Sequence, residues 1–295
     1  MHANEVDTDT SLVRRLLADQ FPQWADLPIK RIASPGTDNA IYRLGETMSV
    51  RMPRIHWATG QIEKEFAWLP TLAPQLPLTI PVPLAKGEPA AGYPHQWAVY
   101  RWLAGRNSAE TPPTDMHQAA RDIADFLHAL RQIDPTPDLL NDNSRGMPLA
   151  LRDADTRQAI AALGDQIDST AALAVWQEAL DAPLPRRDPV WLHGDLLLGN
   201  VLVDQGRVSA IIDFGGLAVG EPACDLMIAW SLFSAESRAT FRAAMNVDDA
   251  TWANARGQAL SQAVIFIPYY QNTNPVGVRY AQRMLNEILG SQGVR

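Results

Sequence analysis

Cysteine is almost absent from this 295-residue chain, which contains only Cys224. A single cysteine cannot form an internal disulfide or supply a multi-cysteine zinc site. Long apolar runs are also missing, since no stretch approaches the roughly 18 apolar residues that a membrane-spanning helix needs. Residues 1–7 contain no basic stretch followed by an apolar core, which is the pattern of a signal peptide. We therefore expect a cytoplasmic protein without a membrane partner.

Positive charge is scarce as well. The chain has 25 Lys and Arg residues against 33 Asp and Glu residues, which gives a formal net charge of −8. A broad nucleic-acid surface needs clustered basic residues to neutralise phosphates, so nucleic acid is not an expected partner. An acidic protein attracts cationic ligands through long-range electrostatics, although many proteins are acidic for solubility alone. The length fits either one large domain or two lobes.

The first hundred residues change repeatedly between helical and strand-like patterns. Apolar spacing predicts helices over residues 11–21 and 61–69. Between them, residues 29–53 read as short antiparallel strands on either side of a turn at 34–39. The prolines at positions 70, 74, 77, 81 and 83 predict that the second helix ends and an extended connection follows. Residues 97–103 are strongly β-forming and are the expected hinge.

The rest of the chain is mainly helical in pattern. Residues 116–131 and 155–180 predict helices, and residues 225–289 predict further helices with a break at Pro268. Two apolar strand segments, 201–203 and 208–212, flank a turn at 204–206.

A polar motif lies around this hairpin. Asp195 and Asn200 precede it, and Asp213 stands where its second strand ends, so the three side chains can converge on one point. Phosphoryl transfer requires a carboxylate near the acceptor hydroxyl and hard oxygen ligands for Mg²⁺. The triplet His193-Gly194-Asp195 alone would more simply be a turn. The complete spacing favours a phosphate and metal site.

The motif resembles the signature of the aminoglycoside phosphotransferase family. The resemblance rests on His193-Gly194-Asp195 with Asn200, on IDFG at 212–215 and on GEPACDL at 220–226. It implies an α+β, two-lobed protein-kinase-like fold, with an antiparallel sheet and one main helix in the N-terminal lobe and a larger, mainly helical C-terminal lobe. Residues 1–103 would form the nucleotide-binding lobe with its hinge strand, and residues 104–295 the catalytic and substrate-binding lobe.

The resemblance also implies roles for individual residues of the motif. Asp195 would be the catalytic carboxylate, and Asn200 and Asp213 would be the magnesium ligands. Asp225 would support the catalytic loop, and His193 would brace its backbone rather than carry protons.

The N-terminal lobe carries the residues expected to bind the nucleotide. Arg51 occupies the strand position where related kinases usually have lysine, and Glu65 would be its ion-pair partner, with Glu63 as a rival. Asn39 closes a turn, 36–39, that could cover the phosphates.

The hinge would bind the base. Backbone groups around residues 99–102, including Tyr100 and Trp102, would hydrogen-bond it, although tryptophans at such positions are more often packing residues.

The resemblance implies ATP or GTP and Mg²⁺ as cofactors, and a hydroxyl-bearing small molecule as substrate. An aminoglycoside or related antibiotic is favoured, and a cationic acceptor would suit the acidic chain. Asp248, Asp249 and Glu287 are candidate contacts to it, although surface roles are favoured for all three. The sequence leaves the oligomeric state open.

Three alternatives remain. Macrolides and small metabolites are other acceptors for this motif. A nucleotide-binding pseudokinase would be consistent with arginine at position 51. A protein kinase is disfavoured, because about a dozen positions between Asp213 and Asp225 leave little room for an activation segment.

Overall fold

A five-stranded antiparallel sheet forms the first part of the fold. The computed structural model describes residues 5–32, 38–139, 146–183 and 188–290. The sheet has the strand order β1-β2-β3-β5-β4, and helices precede and interrupt it. Its elements are α1 (Thr10–Gln20), β1 (Ile29–Ile32), β2 (Asn39–Leu44), β3 (Met48–Pro53), α2 (Thr59–Leu72), β4 (Pro83–Gly87) and β5 (Trp97–Arg101).

The two faces of this sheet have different partners. Alternate residues of β2, namely Ala40, Tyr42 and Leu44, are buried in one cluster with the apolar residues of α1. Asp9 starts α1 by accepting the N–H of Leu12 at 2.6 Å, which is a standard N-terminal cap. Arg51 on β3 pairs with Ile41 on one side and Ala98 on the other, and Ala98 packs with Ile62 of α2. The face that carries Arg51 is therefore the face covered by α2.

The second part of the chain is mainly helical. It contains a three-stranded sheet of order β6-β8-β9 and an antiparallel pair of β7 with β10. Its elements are β6 (Arg106–Asn107), α3 (Met116–Gln132), α4 (Asp153–Leu163), α5 (Ser169–Asp181), β7 (Val190–Leu192), β8 (Val201–Asp204), β9 (Arg207–Ile211), β10 (Ala218–Gly220), α6 (Ile228–Ser231), α7 (Ala235–Met245), α8 (Asp249–Tyr270) and α9 (Pro275–Leu289). The expected two-lobed α+β fold is confirmed. The boundary proposed between residues 103 and 104 falls between β5 and β6.

Two predictions based on proline place the end of a helix three residues too early. Helix α2 continues through Pro70 to Leu72, and helix α8 continues through Pro268 to Tyr270. Each proline is the third residue from the end of its helix, so the backbone hydrogen bond that proline cannot donate is lost only in the last turn. The buried residues on either side of Pro70, Leu69 and Leu72, hold that turn against the core.

Other boundaries also differ from prediction. The helical region 155–180 is divided at Gly164, whose φ of 50° ends α4, and Asp168 then caps α5 by accepting the N–H of Ala171 at 2.9 Å. Strand β4 occupies part of the segment that was expected to be an extended connection. Most of the predicted turn at 34–39 lies outside the described residues. Within the described ranges, no helix combines the length and apolar character needed to cross a membrane.

Candidate active site

The loop that follows β7 is held by a buried carboxylate. Asp225 accepts the backbone N–H groups of His193 and Gly194, both at 2.8 Å. Gly194 has a φ of 79°, a left-handed conformation that glycine adopts without steric cost. Burial raises the pKa of the Asp225 carboxyl, and the two N–H donors and Arg131 partly oppose this shift. Asp225 thus fixes the backbone immediately before Asp195.

Both ring nitrogens of His193 bind backbone groups. Nδ1 accepts the N–H of Asp195 at 3.2 Å, and Nε2 lies 3.0 Å from the carbonyl oxygen of Ile212. Because a carbonyl oxygen can only accept, these contacts assign the proton to Nε2. The ring also packs on Phe214, with centroids 4.5 Å apart. His193 therefore ties the loop to the end of β9.

Asn200 lies between the two acidic residues of the motif. Its amide nitrogen donates to the Asp195 carbonyl at 2.8 Å and approaches the Asp195 carboxylate at 3.4 Å. The backbone carbonyl of Asn200 accepts the N–H of Ile212, the residue before Asp213, at 2.9 Å. The amide nitrogen faces Asp195, so the side-chain oxygen is the atom that can coordinate a cation.

Residues distant in sequence support this loop, and none of them was predicted from the sequence. Ser108 donates to the Leu198 carbonyl at 2.6 Å, and Ser231 accepts the Leu198 N–H at 2.9 Å. Asn107 donates its side-chain N–H to the Gly199 carbonyl. Only the position of Asn107 and Ser108 just after the expected hinge could have pointed to them.

Asp213 has an unusual backbone conformation. Its φ of 65° and ψ of 66° are left-handed, which is uncommon outside glycine, although aspartate tolerates it better than most residues. Its side chain is 48% exposed, and its Oδ1 lies 3.4 Å from Nη2 of Arg51. Residues from both lobes meet at this carboxylate.

Arg51 is the centre of a buried polar network. Its Nη1 lies 2.5 Å from Glu65, its Nη2 donates to Gln61 at 2.7 Å, and the Tyr100 hydroxyl donates to the second oxygen of Glu65. Burial acts to lower the pKa of Arg51, but the charges of Glu65 and Asp213 outweigh it and the pKa is raised. Burial and the Glu65 charge raise the pKa of Tyr100 well above its usual value. Arg51 is therefore a cation and Tyr100 a neutral donor.

The rival carboxylate has a different partner. Glu63 has a side chain that is 62% exposed, and it lies 3.9 Å from Lys86. Arg51 pairs instead with Glu65, which is fully buried. Gln61, the other α2 residue in the network, was not singled out from the sequence.

The remaining predicted nucleotide contacts are Asn39 and the hinge residues. Asn39 begins β2, and its side-chain oxygen is buried with no hydrogen-bond partner in the described part of the chain. The N–H groups of Arg101 and Trp102 already donate to Val82 and Thr47. These two N–H groups therefore have backbone partners, and the binding of a base by backbone groups of the hinge stays a prediction. The Trp102 ring is covered by Arg43, whose guanidinium lies 4.0 Å from the ring centroid.

The predicted metal ligands fit a nucleotide-bound magnesium ion better than a metal held by protein alone. Within the described ranges, no group of three or more His, Cys, Asp and Glu side chains could hold a metal ion. Asn200 offers an amide oxygen, and Asp213, whose side chain is 48% exposed, offers a carboxylate. Mg²⁺ commonly takes one or two protein oxygens and completes its shell with water and substrate phosphates.

The three carboxylates considered as acceptor contacts have structural partners. Asp248 caps α8 by accepting the N–H of Thr251 at 2.7 Å. Asp249 pairs with Arg242, and Glu287 pairs with Arg238 at 3.1 Å. The surface roles favoured for them agree with these contacts.

Comparisons with known proteins give both a family and structural neighbours. A family model described as the phosphotransferase enzyme family matches residues 29–259, and no curated protein matches the sequence. The GDP and kanamycin complex of APH(2″)-IIIa is similar in fold, with a TM-score of 0.74 and 19% identity over 95% of this chain and 99% of that chain. The streptomycin–ATP–APH(2″)-IIa complex gives a TM-score of 0.61 and 16% identity over 95% and 99%. Macrolide 2′-phosphotransferase MphH from Brachybacterium faecium gives 0.62 and 22% over 96% and 99%.

Proposed function

Because this chain belongs to the phosphotransferase enzyme family, we propose that it transfers the γ-phosphate of ATP or GTP to a small-molecule hydroxyl group with Mg²⁺. The observation that carries the proposal is the meeting of the two lobes at Asp213. Arg51 reaches it from the sheet, while Asn200 contacts both Asp195 and Ile212, the residue before Asp213. Phosphoryl transfer needs this combination of a cation, oxygen ligands for Mg²⁺ and a carboxylate beside the acceptor.

In the proposed reaction, Asp195 orients the acceptor hydroxyl and takes its proton. The acceptor oxygen then bonds to the γ-phosphorus as the bond to the β,γ-bridging oxygen breaks. Asp195 suits this role because the contacts from His193 and Asn200 fix its backbone and carboxylate. A carboxylate fixed in this way can act at a defined point in the cleft.

Arg51 is proposed to bind the phosphates. Its planar guanidinium can hold two oxygens at once, and its raised pKa keeps it charged. Asn200 and Asp213 would hold Mg²⁺, which supplies charge neutralisation of the phosphates when bound. Arginine in place of lysine is thus compatible with phosphate binding and is not by itself a sign of a pseudokinase.

The proposed acceptor is an aminoglycoside or a related antibiotic. Among the similar structures, APH(2″)-IIIa is in complex with kanamycin and APH(2″)-IIa is in complex with streptomycin. The net charge of −8 would favour a cationic acceptor through long-range attraction. A macrolide is the second candidate, because the TM-score of MphH, 0.62, is close to the 0.61 of APH(2″)-IIa, and its identity of 22% is slightly higher than that of either aminoglycoside enzyme.

The test is nucleoside diphosphate release with ATP or GTP and Mg²⁺ against aminoglycosides, macrolides and small hydroxyl-bearing metabolites. Mass spectrometry should show one added phosphate on the acceptor. Asp195→Ala controls for contaminating kinases, and exposed Asp204→Asn is a matched control outside the site. Turnover with an aminoglycoside supports the full proposal, and turnover with another acceptor replaces the substrate only. Nucleotide binding without turnover for any acceptor would contradict phosphotransfer.

A further inference from the structure

Gln61, near the start of α2, contacts two parts of the candidate site. Its Oε1 accepts a hydrogen bond from Nη2 of Arg51 at 2.7 Å. The same Nη2 lies 3.4 Å from the carboxylate of Asp213. Nη2 therefore contacts both acceptors, and Gln61 is the nearer of the two.

The Gln61 amide also lies against the turn that contains Asp213. A Cβ placed on Gly215 would be 2.7 Å from Cδ of Gln61 and 2.8 Å from its Oε1. Gly215 is not among the glycines with positive φ, so its backbone does not itself require glycine. The space taken by Gln61 explains why glycine stands there.

We propose that Gln61 is a positioning residue that holds Arg51 back from Asp213 and leaves this carboxylate open to the metal. The proposal rests on the phosphotransferase function proposed above. Without the Gln61 acceptor, Nη2 would turn towards the Asp213 carboxylate, because a buried guanidinium N–H needs a partner. Arg51 would then compete with Mg²⁺ for Asp213 and be displaced from its place beside the phosphates.

The first test is the Mg²⁺ and nucleotide dependence of Gln61→Ala. Losing one hydrogen bond to a charged group corresponds to about a tenfold effect, so the half-saturating Mg²⁺ concentration and the KM for nucleotide should each rise about tenfold. The KM for the acceptor should not change. Gln61→Glu keeps an oxygen acceptor for Arg51 and should retain most of the Mg²⁺ affinity, which a merely structural role would not predict.

The second test uses Gly215→Ala. The added methyl group must displace the flexible end of Gln61, so this variant should reproduce the Mg²⁺ and nucleotide effects of Gln61→Ala at little cost in stability. In the double variant the methyl group occupies vacated space. The double variant should therefore shift the Mg²⁺ and nucleotide dependence no more than either single variant, since both changes remove the same contact. Gly60→Ala, with no atom within 4 Å of the new Cβ, is the matched control on α2.

The outcomes separate this inference from the proposed function. If the wild-type enzyme turns over and the Gln61→Ala shifts are absent, or if the effects of the two changes multiply, the role of Gln61 is refuted and the function stands. If the wild type has no turnover, the proposed function fails. Titration of ADP binding against Mg²⁺ still decides the role of Gln61, because the competition with Arg51 concerns binding. Equal Mg²⁺ dependence in wild type and Gln61→Ala would then refute it.

Discussion

Replacement of Glu65 by alanine should have a large effect on stability. Glu65 is fully buried and accepts from both Arg51 and the Tyr100 hydroxyl. Removing one partner of a buried ion pair costs about 3–5 kcal/mol, because the other charge remains buried. A buried hydroxyl that loses its acceptor adds to this cost. Gln61 and Asp213 still contact Arg51, so we expect Glu65→Ala to lower the free energy of unfolding by about 3–5 kcal/mol in total.

A combined variant separates stability from function. Arg51→Met, Glu65→Leu and Tyr100→Phe together remove the charges and the hydroxyl while keeping similar volume. Apolar replacements of buried ion pairs are often neutral or stabilising, so most of the stability should return. Phosphotransfer should not return, because the Arg51 guanidinium that is proposed to bind the phosphates has been removed.

Urea denaturation of the wild type and both variants measures the stability, and nucleoside diphosphate release measures the activity. A loss below about 1 kcal/mol in Glu65→Ala would show that the pair behaves like an exposed salt bridge. Wild-type activity in the combined variant would show that Arg51 has no part in catalysis. Either result would refute the reasoning.

Three further predictions concern separate parts of the molecule. Burial raises the pKa of Asp225, so the stability of the wild type relative to Asp225→Asn should fall as pH rises above the ordinary aspartate pKa. Urea denaturation at several pH values measures this difference in stability. A difference that rises with pH would contradict the prediction. Asp213→Asn should raise the Mg²⁺ concentration needed for half-maximal turnover, and an unchanged Mg²⁺ titration would remove Asp213 from the metal site. Gly87→Ala should destabilise the sheet lobe by about 1–3 kcal/mol in thermal or urea unfolding, because the new Cβ would lie 2.1 Å from the buried Trp97 ring. The control Gly60→Ala, whose new Cβ would have no atom within 4 Å, should cause no such loss.

The loop proposed to be catalytic could be predicted because its parts are close in sequence. Asp195 and Asn200 lie in one loop and contact each other, and Ile212, the residue before Asp213, comes directly after the hairpin that follows and bonds to Asn200. The Arg51–Glu65 pair depended on the resemblance, since nothing in the strand or helix pattern distinguished Glu65 from Glu63.

The supporting contacts could not be predicted, because they join distant parts of the chain. Ser108 bonds to a carbonyl 90 residues away, and Ser231 lies 33 residues from the N–H that it accepts. Gln61 looks like an ordinary helix residue until the fold places Gly215 against it. The helices that continue through Pro70 and Pro268 were missed for a similar reason, because tertiary packing decides whether the last helical turn survives a proline.

The most direct test of the proposed mechanism is a comparison of turnover and nucleotide affinity in Asp195→Asn. The amide keeps the shape of the side chain but cannot take the acceptor proton at neutral pH. We predict that kcat falls by about 10²–10⁴-fold while the affinity for nucleotide with Mg²⁺ stays close to that of the wild type. Asp204→Asn should match the wild type in both measurements. Wild-type turnover in Asp195→Asn would contradict the assignment of Asp195 as the catalytic carboxylate.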